Sequence, residues 1–557
     1  MRARLPLLIL LVAACGAPAA DDAATGDESD LTFRVDKVDT TLPDVDAIGY
    51  EMTIAVDDTP KAEKLRAEVV GTYVATADLT ELALDFHGNT VDAVKVGAAS
   101  AQFRRDGDKL VIALPSPVAK GKTFKTSVAY HGDVLQADGQ DADDLHAFGG
   151  FMVRQDNAEH RRIFTTLNWP RNGRRWIPMR DHPSDGAQFA ITAKFPSKYA
   201  VLANGKRVNR ADSGDGTTTW RYEALEPMPP YDFHLSAYDA WKSDDATSAS
   251  GIPITTYLYD GAHRSQQKVY GDVHDALDWY EAHWGKYRWG AVSYIEEPIF
   301  GGGMENASVV SMDETVFDDL ADAREIAFHE LAHHWSGNLA RIRTWNDFWL
   351  SEGFTEYEKA RFIAEHDHDP KTVWRGYKTR AFAVDKGHPV RPPDPEVDVL
   401  TIFDDVPYEK GALVLRQLER VVGTDKMTAF LKGWFDRHAF EAVSTAQLEK
   451  EMSADTGVDV SKTFEGFVYG VAHPIVHVAF AQAADGDWDV TITQTQRTGP
   501  DQGFVFPLDL DFVDASGKKE RIAVDVTNKS TKQHVHLAAA PVSVVADPDE
   551  WLLGEVR

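Results

Sequence analysis

Hydrophobic and polar positions change their spacing twice along the chain. From about residue 36 to 245 they alternate, as in YEMTIAVD and LALDFHGN, and this alternation predicts strands with one buried face. From 246 to 472 apolar residues recur at helical spacing, as in VYGDVHDALDWYEAHW, and Gly285 then predicts the end of that helix. Alternation returns from 473 to 557, in stretches such as DWDVTITQTQ, and predicts a closing β-sandwich. The pattern is that of a multidomain α+β protein.

Length and charge narrow the classes of function. The 557 residues exceed what one hydrophobic core holds, so the sequence predicts roughly three or four domains. Acidic residues outnumber basic ones, 88 to 58, and the net charge is −30. Because phosphate binding needs a basic face, this balance argues against nucleic acid as a partner.

The N-terminus carries a targeting signal. Two arginines precede an apolar run that is too short to span a membrane and ends in LVAAC. This ending is similar to the lipobox of bacterial lipoproteins, in which the cysteine, here Cys15, carries the lipid. We expect residues 1–14 to be a signal peptide, residues 15–35 a flexible linker, and the protein to be an exported lipoprotein of the cell envelope. Gly16 favours the outer membrane, and an ordinary signal peptide with an incidental cysteine is the alternative.

The sequence HELAH fits the pattern HExxH with His329, Glu330 and His333. Residues four apart lie on one face of a helix, so both imidazoles can reach a single Zn²⁺. The preceding DDLADAREIAF has the acidic start and apolar spacing of a helix. Glu330 lies beside the two ligands, where it could take a proton from metal-bound water. Taken alone, the motif is also compatible with a solvated helix face.

A tetrahedral catalytic zinc needs a third protein ligand. Glu352 lies 19 residues after His333, and the intervening Gly337 and Asn338 could end the first helix and turn the chain. A second helix that begins near Trp349, with Ser351 close to its cap, would bring Glu352 back to the metal. Without the flanking residues, an exposed helical Glu352 would be the default interpretation.

Three motifs together resemble the aminopeptidase N family of zinc metallopeptidases. These are HELAHHWSGN followed at the family spacing by WLSEGF, then GGGMEN, similar to the GxMEN exopeptidase motif, and VPYEKGA. The resemblance implies these roles: zinc ligands His329, His333 and Glu352; general base Glu330; oxyanion donor Tyr408; substrate-binding residues Gly302, Gly303, Met304 and Glu305, the last for the α-ammonium. It implies a zinc aminopeptidase that acts on peptides with a free N-terminus.

The resemblance also implies an architecture. We expect an N-terminal β saddle at 36–245, a thermolysin-like, mainly helical catalytic domain at 246–472 and a C-terminal β-sandwich at 473–557. The large C-terminal helical domain that is common in the family has no room in this chain.

One departure from the family pattern keeps other functions open. Asn168 and Trp169 stand where a second Gln or Glu usually helps to bind the substrate amine. An amide or an aromatic face could still meet a cation. Another zinc hydrolase on the same scaffold, either an endopeptidase or an epoxide hydrolase, is therefore one alternative. A surface-tethered binding protein without catalysis is another.

Four nearby residues receive weaker interpretations. Glu356, one turn after the third ligand, either orients a ligand imidazole or is exposed. His334 points to a different helix face and is not expected to be a ligand. Asn338 and Arg343 are expected to have structural roles.

Overall fold

The structure is a computed structural model that describes most of the chain, namely residues 31–59, 63–136, 148–157, 159–259, 268–367 and 369–557. The predicted signal peptide and Cys15 lie outside the described residues. Within the described ranges, no helix is both long and apolar enough to cross a membrane.

The N-terminal part, as far as Tyr238, is built mainly from strands. In chain order they are β1 (Val45–Asp57), β2 (Lys64–Ala75), β3 (Leu79–Asp85), β4 (Thr90–Val96), β5 (Ala99–Ser100), β6 (Phe103–Asp106), β7 (Lys109–Val118), β8 (Thr123–Asp133), β9 (Leu135–Gln136), β10 (Gly150–Gln155), β11 (Arg162–Leu167), β12 (Ala187–Pro196), β13 (Ala200–Ala203), β14 (Lys206–Asp212), β15 (Thr217–Met228) and β16 (Leu235–Tyr238).

These strands form three sheets around a core of their own. The largest has the order β14-β15-β12-β1-β2-β8-β4-β5, and the others are β13-β16-β11-β10-β9 and β3-β7-β6. At the centre, β1 pairs antiparallel with β2 and parallel with β12. The predicted alternation is present in β1, where Tyr50, Met52, Ile54 and Val56 are buried. This is the β-rich N-terminal domain that the sequence predicts.

The middle part combines a five-stranded sheet and a two-stranded sheet with the helices. Its strands and helices are β17 (Trp241–Thr247), β18 (Pro253–Tyr259), α1 (Val273–Trp284), β19 (Val292–Glu297), β20 (Gly303–Met304), β21 (Val309–Asp313), α2 (Leu320–Ala332), β22 (Ala340–Ile342), α3 (Trp349–His366), α4 (Pro370–Val384), α5 (Gly411–Val422), α6 (Thr424–Arg437), β23 (Glu441–Val443), α7 (Thr445–Thr456) and the single turn α8 (Ser461–Thr463).

The two-stranded sheet is β22-β23, and the larger sheet of this part has the order β17-β18-β19-β21-β20. It therefore begins at Trp241, before the predicted domain boundary at 246, because β17 pairs with β18 along its whole length. The predicted helical face is present in α1, where Val273, Leu277 and Tyr280 are buried. Gly285 ends this helix with a φ of 105°, a conformation that favours glycine.

The C-terminal part is a sandwich of two sheets. Its strands are β24 (Ile475–Gln482), β25 (Trp488–Gln494), β26 (Phe506–Asp514), β27 (Lys519–Val526), β28 (Ser530–Val535), β29 (Pro541–Ala546) and β30 (Glu555–Val556). One sheet has the order β28-β25-β24-β30 and the other β27-β26-β29. The buried apolar residues of this sandwich and of the middle part belong to one continuous hydrophobic core. Most buried residues of the N-terminal strands form a separate core, although Met152 of β10 and Leu167 of β11 belong to the first one.

Candidate metal centre

The two histidines of HELAH lie at the end of α2. Asp319 caps the start of this helix, since its carboxylate accepts hydrogen bonds from the backbone N–H groups of Ala321 and Asp322. His329 is in the last turn, and His333 is the residue that follows the helix. Their Nε2 atoms are 3.0 Å apart. Helical spacing thus brings the imidazoles together, as the sequence predicts.

Glu352 reaches the same point from α3. This helix begins at Trp349, and α2 packs against it. The Glu352 Oε2 atom lies 3.2 Å from the Nε2 atom of His329 and 3.2 Å from that of His333. Ser351 does not cap the helix; its hydroxyl lies 3.3 Å from Nδ1 of His333 instead. The predicted third ligand therefore joins the two histidines, and Ser351 lies close to the start of the helix, as expected.

The three ligand atoms fit a tetrahedral zinc ion. Nδ1 of His333 lies 3.0 Å from the carbonyl oxygen of Ser336, and Nδ1 of His329 lies 2.7 Å from Oε1 of Glu356. With the Nδ1 atoms facing these oxygens, both Nε2 atoms face Glu352. Three acceptors this close repel one another unless a cation lies between them. Bonds of ~2.0–2.1 Å at tetrahedral angles would hold the donor atoms about 3.4 Å apart, close to the spacing found.

The carboxylates around this point attract positive charge. Burial opposes protonation of His329, but hydrogen bonds to Glu352 and Glu356 outweigh it and raise its pKa to about 9. Burial likewise opposes ionisation of Glu352, but the two imidazoles lower its pKa to about 2. A buried imidazole that favours its protonated form beside a buried carboxylate that favours its ionised form indicates a site that stabilises positive charge.

Glu330 lies next to the metal ligands and is buried. Burial raises its pKa to about 7, a value suited to a general base. The room for its carboxylate exists because residue 303 is glycine. A Cβ atom at Gly303 would lie 2.3 Å from Oε1 of Glu330.

Glu305 lies on the His333 side of the centre. Candidate ligand atoms of Glu305, Glu330 and His333 are all within 4.8 Å of one another. Glu305 follows β20, which pairs antiparallel with β21, and its backbone carbonyl accepts a hydrogen bond of 2.8 Å from Asn338. Asn338 thus holds the segment that carries Glu305 next to the C-terminal end of α2, which is the structural role expected for it.

Tyr408 lies on the His329 side. It is in a π-helical turn, Val406–Lys410, that leads into α5. Its ring stacks on that of His329 at 6.1 Å and packs against Phe348 and Phe403. Burial and the surrounding carboxylates raise the pKa of Tyr408 well above its ordinary value, so its hydroxyl remains a hydrogen-bond donor.

A contact between two glycines sets the position of this turn. A Cβ atom at Gly353 would lie 2.8 Å from the carbonyl oxygen of Pro407 and 2.9 Å from Cα of Gly411. The start of α3, which carries Glu352, therefore touches the backbone of the segment that carries Tyr408. The glycines of WLSEGF and PYEKGA are required by this close approach.

Glu356 is buried, so the interpretation as an exposed residue is wrong. Besides its contact with His329, it accepts hydrogen bonds from Lys359 at 2.8 Å and from the Tyr377 hydroxyl. It orients the imidazole, as carboxylates behind metal-bound histidines commonly do. The sequence does not indicate the role of Lys359, because a lysine three residues after a glutamate is an ordinary pair on a solvated helix, and Tyr377 lies on a different helix, α4.

His334 and Arg343 are in the environments expected for residues outside the metal centre. His334 is buried with its Nδ1 atom 2.9 Å from the hydroxyl of Tyr287. The Arg343 side chain contacts Asp39 and the backbone carbonyl of Ala442.

Asn168 and Trp169 have different environments. The Asn168 side chain is buried, donates to the carbonyl oxygen of Phe233 and accepts from the Trp176 indole at 2.7 Å. Its amide is thus occupied within the protein. Trp169 instead lines the cavity in front of the metal ligands. The aromatic face, and not the amide, is available to a substrate.

This cavity has a volume of about 440 Å³. Its lining includes all the site residues predicted from the sequence, together with Trp169 and Glu356, which the sequence also singled out. The lining residues that the sequence did not indicate are Phe300, Gly301, Ile326, Lys359, Phe403, Asp404, Asp405 and Glu409. It is large enough for the first residues of a peptide.

Comparison with known proteins places the chain in one family. Residues 270–467 match the Peptidase family M1 domain and residues 48–231 match the Peptidase M1 N-terminal domain, together more than half of the chain.

The individual relatives share about a quarter of their residues with the matched part of this chain. Glutamyl aminopeptidase of Bos taurus is 24% identical over 346 residues, 58% of this chain and 36% of that protein. Aminopeptidase N of Streptomyces lividans is 26% identical over 348 residues, 58% of this chain and 40% of that protein. The chain thus spans less than half the length of these relatives.

A solved structure shares the fold. It is that of a mutant M1 zinc metallopeptidase from Deinococcus radiodurans bound to a Tyr-Ser-Ala substrate, with a TM-score of 0.69 and 22% identity over 77% of this chain and 95% of that one. With both domain matches and this shared architecture, the chain belongs to peptidase family M1.

Proposed function

We propose that the protein is a zinc-dependent aminopeptidase that removes N-terminal residues from peptides. The observation that carries this proposal is the convergence of two Nε2 atoms and one carboxylate oxygen, 3.0–3.2 Å apart, at a cavity that also contains Glu305. Zn²⁺ held by His329, His333 and Glu352 would lower the pKa of a bound water toward ~7 and polarise the scissile carbonyl.

The remaining residues have separate tasks in peptide hydrolysis. Glu330 takes a proton from the attacking water, whose hydroxyl adds to the carbonyl carbon, and passes that proton to the departing amine. Tyr408 donates a hydrogen bond to the oxyanion that forms. Glu305 accepts a charge-assisted hydrogen bond from the substrate α-ammonium. The rings of Phe348 and Phe403 pack against Tyr408 and hold its side chain in place.

Three measurements test this function. The wild type should hydrolyse aminoacyl chromogenic amides, lose that activity on chelation and regain it with Zn²⁺. Glu330→Gln should lower kcat by about 10²–10⁴-fold and still bind zinc, because it removes only the base. N-acetylated substrates should not be turned over, since they lack the ammonium that Glu305 binds. Equal rates on free and acetylated peptides would refute the exopeptidase assignment.

An endopeptidase on the same scaffold is the second candidate. The observation that favours it is the occupied amide of Asn168, which leaves Glu305 as the carboxylate expected to anchor the amine. Efficient cleavage within blocked peptides would identify this activity.

We also propose that the protein is exported and held at a membrane through lipid on Cys15. The sequence LVAAC supports this, and Gly16 favours the outer membrane. A Cys15→Ser variant should move from the membrane fraction to the soluble fraction of cells. Unchanged membrane association would refute the anchor.

A further inference from the structure

The cavity wall beyond the metal ligands is acidic. On the side of His329 and Tyr408, its charged lining residues are Glu356, Asp404, Asp405 and Glu409, with Lys359 as their basic neighbour. Two of these carboxylates are already satisfied. Glu356 contacts His329, Lys359 and Tyr377, and Asp404 pairs with His388 at 3.2 Å and caps the backbone N–H of Val406.

The carboxylates of Asp405 and Glu409 each have an oxygen atom that accepts no hydrogen bond from the described residues. Glu409 receives a hydrogen bond of 2.7 Å from Arg380 at Oε1, but its Oε2 atom is buried and has no partner within the described ranges. Glu409 is only 9% exposed, so bulk water has little access to this carboxylate. No hydrogen bond or ion pair of the Asp405 carboxylate occurs in the described part of the chain. A buried carboxylate oxygen without a donor is unfavourable, and a cation from a ligand would relieve it.

Lys359 does not supply that cation. Its ammonium donates to Glu356 at 2.8 Å, and Glu356 in turn holds His329. Burial and the charge of Glu356 raise the pKa of Glu409 although Arg380 pairs with its Oε1 atom, so this one cation does not offset the burial and the surrounding negative charge. The wall thus keeps surplus negative charge close to the metal ligands.

The position of this wall indicates which part of a substrate meets it. Glu305, the proposed anchor of the α-ammonium, lies beside His333, whereas Glu356 contacts His329 on the other side of the centre. A peptide whose amine is at Glu305 and whose scissile carbonyl is at the metal therefore continues toward His329 and Tyr408. Its second residue, which belongs to the leaving group, enters the acidic part of the cavity.

We propose that Asp405 and Glu409 form a subsite for a cationic side chain, lysine or arginine, at the second residue of the peptide substrate. The assignment rests on the proposed aminopeptidase function. Each carboxylate would accept a charge-assisted hydrogen bond from the ammonium or guanidinium group. The net charge of −30 would also favour the approach of cationic peptides at low ionic strength.

Two peptides that differ only in charge test the subsite. Ala-Lys-Ala and Ala-norleucine-Ala have second side chains of similar length, and the ratio of their kcat/KM values measures the preference for charge. Hydrogen bonds to charged groups predict a ratio of about tenfold to a hundredfold in favour of lysine. Asp405→Asn and Glu409→Gln should each lower this ratio, and the double variant should bring it close to one.

Control measurements separate the possible failures. Glu396→Gln removes the same charge from an exposed carboxylate that lines a different cavity, so its ratio should equal that of the wild type. Alanine p-nitroanilide has no second residue, so its hydrolysis by the wild type tests the aminopeptidase function alone. Hydrolysis of this amide without a lysine preference, or a preference that the double variant retains, would overturn the subsite only. Failure to hydrolyse the amide and both peptides would overturn both proposals.

Discussion

Replacing Gly303 by alanine should disable the general base and leave the metal ligands in place. The three heavy atoms nearest to a Cβ at this position all belong to Glu330, at 2.3–2.5 Å. The φ of Gly303 is not in the left-handed region, so the backbone accepts alanine. The methyl group therefore acts on the carboxylate alone.

The size of the effect follows from these distances. Carbon atoms in contact are separated by about 3.5–4.0 Å, so the Glu330 side chain must move by about 1 Å or more. A displacement of this size at a reacting group costs about 10²-fold in rate, within the 10²–10⁴-fold that a general base contributes. We expect kcat to fall by about 10²-fold.

The assay is steady-state hydrolysis of alanine p-nitroanilide together with the zinc content of each purified variant. Gly302→Ala is the matched comparison, because its Cβ would meet Phe300 at an ordinary 3.5 Å, and we expect a much smaller loss. Combining Gly303→Ala with Glu330→Gln should cost little more than Glu330→Gln alone, since both act on one carboxylate. Wild-type activity of Gly303→Ala, or loss of its zinc, would contradict the expectation that the added methyl group displaces only the Glu330 carboxylate.

Three further changes test other contacts. Gly353→Ala should lower the free energy of unfolding by about 1–3 kcal/mol and reduce kcat, because its methyl group separates α3 from the Tyr408 segment; denaturant titration with an unchanged midpoint would contradict this. Glu356→Gln should weaken zinc binding about 10–100-fold in a chelator competition, because the carboxylate at Nδ1 of His329 is lost, and an unchanged affinity would show that Glu356 does not orient the ligand. Burial and the nearby charge of Arg171 lower the pKa of His182 to about 4. Between about pH 6.5 and pH 4 the unfolded chain therefore binds a proton at His182 that the folded chain does not bind. The free energy of unfolding should fall by about 1.4 kcal/mol for each unit that the pH decreases in this window. His182→Asn keeps an acceptor for the Ser184 N–H and should flatten unfolding free energy against pH in that window; an identical slope would refute this.

Local patterns were sufficient where a single helix or strand determines the outcome. His329 and His333 meet because they are four residues apart on α2, and β1 buries the alternating residues of YEMTIAV. The position of Glu352 is not local, since it depends on how α3 returns to α2. It was predicted from the resemblance of WLSEGF to a family motif, and the spacing alone left an exposed residue as the default.

Long-range pairing explains the expectations that the structure changed. The strand β17 is polar and exposed after Trp241, so its sequence does not indicate a sheet, and its pairing with β18 assigns it to the middle sheet. Asp405 and Glu409 flank the motif residue Tyr408, and the sequence assigned them no role. The environment of Glu409 depends on α4, which provides Arg380 to one of its oxygens and leaves the other without a partner in the described residues.

The core that the middle and C-terminal parts share has a consequence for modularity. The last residues of the chain return to the helices: Arg416 lies between the rings of Trp374 and Trp551, 4.2 Å from each, and the backbone N–H of Leu553 donates to Gln417. An engineer who transplanted the metal centre without the C-terminal strands would expose the inner side of α5. The smallest transferable catalytic unit therefore includes the tail, whereas the N-terminal sheets, with an interior of their own, are the natural place to exchange or redesign sequence.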